Sequence, residues 1–147
     1  MSAASSHEQE LRSLNVGELL PHGEAFRMVG SLVYCDGTRT VTETVVPQEG
    51  YLHDDNGHLA PVWFLENMAQ TCAVRMGFLS AREGQVQARP GVIAAVRRME
   101  VYGPAGAGDV LQTEVVVEAE AFGMLSCVGK VECGGEVLAE AELRLMV

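Results

Sequence analysis

A single carboxylate, Glu66, stands in an otherwise apolar run, GHLAPVWFLENMAQTC, at residues 57–72. Removing an ionised carboxylate from water is expensive, so such an acid either escapes to solvent or is retained for chemistry. In an apolar pocket it would hold its proton and serve as a general acid. Gln70 follows one helical turn later, where its amide is expected to orient the carboxyl group.

Two histidines precede this acid in the polar loop PQEGYLHDDNGHLA at residues 47–60. His58 lies eight residues before Glu66, and His53 lies thirteen residues before it. A neutral imidazole is suited to act as a general base near pH 7, and loops of this length in compact domains are often functional. Both side chains are equally compatible with a solvated loop. A third histidine, His22, lies in a turn that favours a structural hydrogen bond.

The polar residues of the apolar run share one narrow stripe of a helix. Glu66, Asn67, Gln70 and Thr71 fall at positions i, i+1, i+4 and i+5. This spacing is compatible with a stripe that faces water, with one that pairs across a dimer interface, and with one that lines a reaction site.

Composition narrows the class of protein. The length of 147 residues indicates one domain, and the net charge of −10 argues against nucleic acid or an anionic membrane as partner. Neither a secretory signal nor an apolar run of about 18 residues is evident, so we expect a soluble, cytoplasmic protein. Local positive charge remains at Arg75, Arg82 and the pair Arg97-Arg98, which favours a solvated strand edge or a landing site for a phosphate or an acidic partner.

Four cysteines stand singly, at Cys35, Cys72, Cys127 and Cys133, without a C-x-x-C pair. This pattern predicts buried free thiols in a reducing compartment and no metal site.

Hydrophobic periodicity places the elements around these residues. A short helix is predicted within residues 8–20 and a helix of about 20 residues from Pro61, ending near Gly84. Strands are predicted over residues 26–35, 38–46, 91–102, 110–121, 125–133 and 136–147. In the fourth strand Leu111, Thr113, Val115, Val117 and Ala119 are expected to face the core.

This order of elements predicts a fold. Two strands, one apolar helix and a four-stranded meander require that an antiparallel sheet cover the helix. The sequence therefore predicts an α+β domain in which a sheet wraps a long central helix.

Three segments resemble the 3-hydroxyacyl-carrier-protein dehydratases of fatty-acid synthesis. They are LLPHGEAFRMVGSLV, FLENMAQ and the strands from GDVLQTEV to the carboxyl end. GHLAPVW is closer to the G-x-L-P-A-W stretch of a related branch, encoded with aryl-polyene-type lipid clusters, which resembles dehydratases but departs from their active-site loop. The resemblance implies a single hotdog domain over residues 19–147, after an N-terminal extension of residues 1–18. It also implies a dimer with sites at the interface, each pairing a loop His of one subunit with a helix Glu of the other.

Carried over to this chain, the resemblance makes Glu66 the acid and His58 the base. His58 lies in the matching Gly-His-Leu stretch, whereas His53 has the better spacing and is the alternative base. Dehydration of a 3-hydroxyacyl thioester needs a base for the proton beside the carbonyl, an acid for the departing hydroxyl and donors for the enolate oxygen. N–H groups near the start of the helix, from Ala60 to Trp63, are expected to supply these donors.

Substrate binding is expected at Gln70, Pro61, Val62 and Trp63, although Trp63 is also typical of a core or interface anchor. No cofactor or metal is expected, because the thioester itself acidifies the neighbouring C–H bond. The expected substrate is an acyl thioester of a carrier protein or coenzyme A. A homodimer, a higher even oligomer or a heterodimer with another hotdog chain is expected. Two rivals remain, namely a hotdog thioesterase that uses Glu66 to activate water and a non-catalytic partner subunit.

Overall fold

One long helix and six strands make up most of the computed structural model, which describes residues 3–20, 26–50, 52–84 and 92–147. In chain order the elements are α1 (Ala3–Arg12), α2 (Val16–Leu19), β1 (Ser31–Cys35), β2 (Arg39–Val45), α3 (Pro61–Arg82), β3 (Val92–Val101), β4 (Val110–Ala121), β5 (Met124–Cys133) and β6 (Glu136–Met146). The strands form a single antiparallel sheet, and α3 packs against its inner face. The predicted α+β arrangement is confirmed.

The bounds of α3 follow from its sequence. Pro61 occupies the first turn, where its missing N–H is not needed, and Gly84 follows the last turn with a φ of +78°. The single predicted helix in residues 8–20 is instead two, α1 and α2, because the Asn15 side chain accepts the N–H of Gly17 and starts a new helix there.

The order of strands differs from the prediction. The sheet runs β1-β2-β4-β5-β6-β3, so only β4, β5 and β6 form a meander. The predicted four-stranded meander is wrong, because the strand that follows α3 pairs with β6 rather than with its neighbour in sequence. This strand, β3, therefore lies at an edge of the sheet.

The predicted strand over residues 26–35 is wrong in its first half. Residues 26–30 are not a strand, since the backbone of Met28 bonds with side chains of α3 instead of with a neighbouring strand. The alternation predicted for β4 also fails at its end. Ala119 is exposed because the register of β4 against β5 shifts between Val117 and Ala119.

The main core lies between α3 and the sheet. Buried side chains of the helix, among them Phe64, Met68 and Cys72, pack on the sheet residues Leu111 and Leu125. Burial of each large apolar side chain contributes about 1.5–3 kcal/mol, so this face fixes the rotation of α3. The rotation in turn determines where the polar stripe of the helix points.

The amino-terminal helices pack on the opposite side of α3. Leu11, Val16 and Leu19 share a second buried cluster with Leu32 and Val74. The boundary predicted between an N-terminal extension and the hotdog domain stays a prediction.

Candidate active site

A cavity of about 470 Å³ contains both a candidate base and the candidate acid. It lies between the loop before α3, the first turns of α3 and the segment that leads to β1. Its lining residues are Phe26, Arg27, Met28, Pro47, Glu49, Gly50, Leu52, His53, Trp63 and Glu66. A concave, largely apolar space with a few convergent polar groups is the usual form of a small-molecule site.

The hydrogen bonds of His53 define its tautomer. Its Nε2 lies 2.9 Å from the carbonyl oxygen of Pro47, and because a carbonyl can only accept, Nε2 carries the proton of the neutral ring. Nδ1 is therefore the basic atom. It is buried and has no hydrogen-bond partner. Gly50 leaves room for the ring, since a Cβ at that position would lie 3.0 Å from Nδ1.

His58 lies outside the lining of this cavity. Its side chain is exposed, and its backbone is held on both sides by Asp54, whose carboxylate accepts the His58 N–H at 2.9 Å. The Asp54 N–H donates to the His58 carbonyl at 2.7 Å, and a β-bridge joins His58 to Gly106. Of the two loop histidines, the structure brings His53 together with Glu66. His22 lies outside the described residues.

Gln70 positions the carboxyl group of Glu66 from one turn along α3. Its Nε2 donates to Glu66 Oε1 at 3.3 Å and to the Phe26 carbonyl at 2.6 Å, while its Oε1 accepts the Met28 N–H at 2.6 Å. Gln70 is fully buried, so these bonds hold it without competition from water. Gln70 thus touches the acid but not the cavity.

The first turn of α3 offers fewer donors than the sequence predicts. The Ala60 N–H donates to Leu52 and the Trp63 N–H donates to Ala60, while Pro61 has no N–H. These bonds leave the Val62 N–H as the remaining donor of this turn. Trp63 is buried against Phe64, with ring centroids 6.0 Å apart, and it lines the cavity. The exposed side chains of Pro61 and Val62 lie outside the lining.

The rest of the polar stripe is a structural clamp. The Asn67 Nδ2 donates to the Met28 carbonyl at 2.7 Å, and the hydroxyls of Thr71 and Thr42 lie 2.8 Å apart. Asn67, Gln70 and Thr71 are all 0% exposed, so a water-facing stripe is wrong for these three residues. The clamp fixes the segment Phe26–Met28, whose part in the site the sequence analysis missed.

The remaining sequence candidates have simple outcomes. Cys35, Cys72 and Cys127 are buried free thiols, whereas Cys133 is half-buried. Among the described residues no cluster of His, Cys, Asp or Glu is arranged to hold a metal ion. No helix of the described chain is long and apolar enough to cross a membrane.

The predicted positive spots divide into two groups. Arg75 is buried and donates to the Gly37 carbonyl at 2.8 Å, so it is not a surface charge. Arg82, Arg97 and Arg98 are exposed, and a docking role for them stays a prediction.

Comparison with known proteins agrees with this geometry. A family model described as ApeP-like, ApeP dehydratase, matches residues 14–147. The solved dehydratase heterocomplex ApeI:P from Xenorhabdus doucetiae contains a chain with a TM-score of 0.85 and 21% identity, over 92% of this chain and 91% of that chain. No curated protein matches the sequence.

Two other solved structures have lower TM-scores. The E. coli PaaI protein of the phenylacetic acid degradation operon has a TM-score of 0.61 and 12% identity, over 79% of this chain and 81% of that one. A hypothetical thioesterase with coenzyme A from Streptococcus pneumoniae has the same TM-score and identity, with 79% and 83% coverage. The predicted hotdog fold is confirmed, and so is the resemblance to the dehydratase-like branch.

Proposed function

The chain belongs to the ApeP-like dehydratase family, and from this premise we propose that it removes water from a 3-hydroxyacyl thioester to give the trans-2-enoyl thioester. The acyl group is carried on coenzyme A or on a carrier protein, in fatty-acid or polyene-type lipid synthesis. His53 is the base and Glu66 is the acid.

The observation that carries this proposal is the state of His53. Its Nε2–H is committed to the Pro47 carbonyl, which leaves Nδ1 as the ring nitrogen without a partner, and the His53 side chain lines the same cavity as Glu66. A base must have an accessible lone pair within reach of the substrate proton. The exposed position of His58 favours the alternative base, His53, over the base that the local motif indicates.

The reaction divides between the two residues. His53 Nδ1 takes the proton from C2 of the acyl chain, and the electron pair of that bond forms the C2–C3 double bond through an enolate. Glu66, in its protonated form, gives its proton to the hydroxyl on C3, which leaves as water. The Gln70 amide donates to Oε1 of Glu66 and so orients the carboxyl group.

The test is an assay of the purified protein with a 3-hydroxyacyl thioester. Formation of the conjugated enoyl thioester, followed by absorbance and by mass, supports the proposal, and Glu66→Gln should lower kcat by about 100-fold or more. Release of free thiol with the saturated acid would instead identify a thioesterase. Wild-type rates in Glu66→Gln would remove this residue from the chemistry.

We also propose that the chain works as a dimer, either with a second copy or with another hotdog chain. Its match to a chain of a dehydratase heterocomplex supports this assembly. So does the edge strand β3, which among the described strands pairs with β6 alone and exposes Val92, Val96 and Val101. No product from this chain alone, together with product after a second hotdog chain is added, would identify it as a subunit that needs its partner.

A further inference from the structure

Arg27 is a cation in the cavity wall for which the described residues supply no partner. Its Nε is buried and lacks a hydrogen bond, and no carboxylate among the described residues forms an ion pair with it. A buried donor without an acceptor destabilises the fold. The chain has a net charge of −10, so acidic residues are in excess and a shortage of carboxylates does not explain why Arg27 lacks an ion pair.

Three other arginines have acceptors within the protein. Arg12 binds Glu8 and Glu43, Arg39 binds Glu114, and Arg75 binds the Gly37 carbonyl and Glu120. The exposed Arg97 and Arg144 form no ion pair among the described residues, but water can solvate them, whereas the Nε of Arg27 is buried. We therefore expect the acceptor of Arg27 to come from outside the described residues.

The fold makes room for this side chain. A Cβ on Gly17 of α2 would lie 2.8 Å from Nη2 of Arg27 and 3.0 Å from its Cζ. Any residue larger than glycine would therefore push the guanidinium from its place. The Met28 N–H next to Arg27 is bound by the buried Gln70, so the backbone that carries the guanidinium is fixed as well.

Arg27 also lies where two cavities meet. A second cavity of about 340 Å³ shares Arg27, Met28, Pro47 and Trp63 with the cavity of His53 and Glu66, and it extends along Thr44 and Val45. The two cavities thus adjoin at Arg27. A long, flexible arm such as pantetheine needs space of this kind beside the candidate reaction site.

We propose that Arg27 binds the phosphate at the end of the pantetheine arm of the thioester substrate. This inference rests on the proposed function. A 3-hydroxyacyl thioester is neutral at the acyl and thioester groups, so the phosphate is the anion that its carrier brings to the site. The guanidinium fork matches phosphate oxygens and forms charge-assisted hydrogen bonds with them. Coenzyme A and carrier proteins share this group.

The test measures binding to analogues that cannot react. The probes are 3-hydroxyalkyl thioethers of pantetheine, with and without the terminal phosphate, titrated by calorimetry into the full chain. Wild-type protein should bind the phosphorylated probe about tenfold more tightly or better. Arg27→Gln should remove this preference, and Arg27→Lys should keep part of it. The matched control is Arg144→Gln, because Arg144 is exposed on β6 and lines neither cavity.

The outcomes separate the alternatives. Equal wild-type affinity for the two probes, or an equal loss for both in Arg27→Gln, would overturn the proposal. A third probe lacks the phosphate and carries a carboxylate at the acyl end. If Arg27→Gln lost affinity for this probe alone, the proposal would also be overturned, since Arg27 would then bind the acyl group. The wild-type comparison and Arg27→Lys decide the matter if Arg27→Gln does not fold.

Two further comparisons identify the carrier and separate this inference from the proposed function. The same thioether is presented on coenzyme A and on a carrier protein, and the carrier whose binding falls in Arg27→Gln is the source of the phosphate. Because no probe can lose water, a phosphate preference in a protein without dehydratase activity would support this inference while the proposed function failed.

Discussion

The two loop histidines give the sharpest prediction at the scale of single residues. His53→Gln should lower kcat by about 100-fold or more, because it removes the basic Nδ1 from the cavity. His58→Gln is the matched control, since this side chain is exposed and the Asp54 bonds involve its backbone. Initial rates of enoyl formation measure both effects. A large loss in His58→Gln with full activity in His53→Gln would reverse the assignment.

Gly50 offers an independent test of the same atom. Gly50→Ala should lower kcat, because the added Cβ would stand 3.0 Å from Nδ1 of His53 and displace the imidazole ring. A decrease of about tenfold, with little change in Tm, is expected, since crowding acts on the transition state more than on the fold. Gly37→Ala is the control, because a Cβ at Gly37 meets nothing within 4 Å. Unchanged kinetics in Gly50→Ala would indicate that Nδ1 is not the reacting atom.

Residue types revealed part of this site in advance. Glu66 stands out because an acid in an apolar run is expensive, and the structure places it in the cavity wall. The choice between His53 and His58 was beyond the sequence, because it depends on which way the loop folds back on Pro47. The sequence did not indicate Arg27 as a site residue, since an arginine is expected to be a surface charge and only the structure shows that its Nε lacks an acceptor.

At the scale of elements, the polar clamp of α3 should matter more for stability than for chemistry. Asn67→Leu should lower the free energy of unfolding by about 1–3 kcal/mol, because it leaves the buried Met28 carbonyl and Thr113 hydroxyl without their amide partner. Chemical denaturation measures the change. Arg82→Leu, exposed on the last turn of the same helix, should cost much less. Equal free energies of unfolding for the two variants would show that the clamp does not stabilise the fold.

The loop before α3 should respond to acid. The N–H of His58 donates to Asp54 and, with the N–H of Asn56, lowers the pKa of that carboxyl below its usual range. A lowered pKa in the folded loop stabilises it above the usual aspartate pKa of about 4, and this contribution is lost as the pH falls through the lower value. Hydrogen exchange at the His58 and Asn56 amides should therefore lose protection in acid. Asp54→Asn should abolish this pH dependence, whereas Asp55→Asn should retain it.

Most elements could be predicted because their patterns are local. The period-2 alternation gave the bounds of β4 and β6 to within a residue, and Pro61 marked the start of α3. The strand predicted over residues 26–35 failed because the partners of Met28 are amides some forty residues away. The place of β3 at the sheet edge is equally non-local, since it depends on pairing with β6.

At the scale of the whole molecule, the sequence predicted a helix wrapped by sheet because two hydrophobic patterns admit few other solutions. Assembly is a different matter. Which strand edge stays open depends on the strand order, which the sequence predicted wrongly for β3. The dimer thus remains a proposal that the open edge makes testable.

Val96 provides that test, because it is 39% exposed on β3 at the unpaired edge. Val96→Lys should convert a dimer to a monomer, since a lysine ammonium on an edge strand opposes pairing with another strand. Light scattering after gel filtration measures the mass, and circular dichroism checks that the monomer is folded. Phe122→Lys is the matched control, because Phe122 is fully exposed at the turn between β4 and β5, away from β3. A dimer that survives Val96→Lys but dissociates in Phe122→Lys would place the interface at that turn instead. If the dimer forms through β3, Val96→Lys should lower both the molecular mass and the activity.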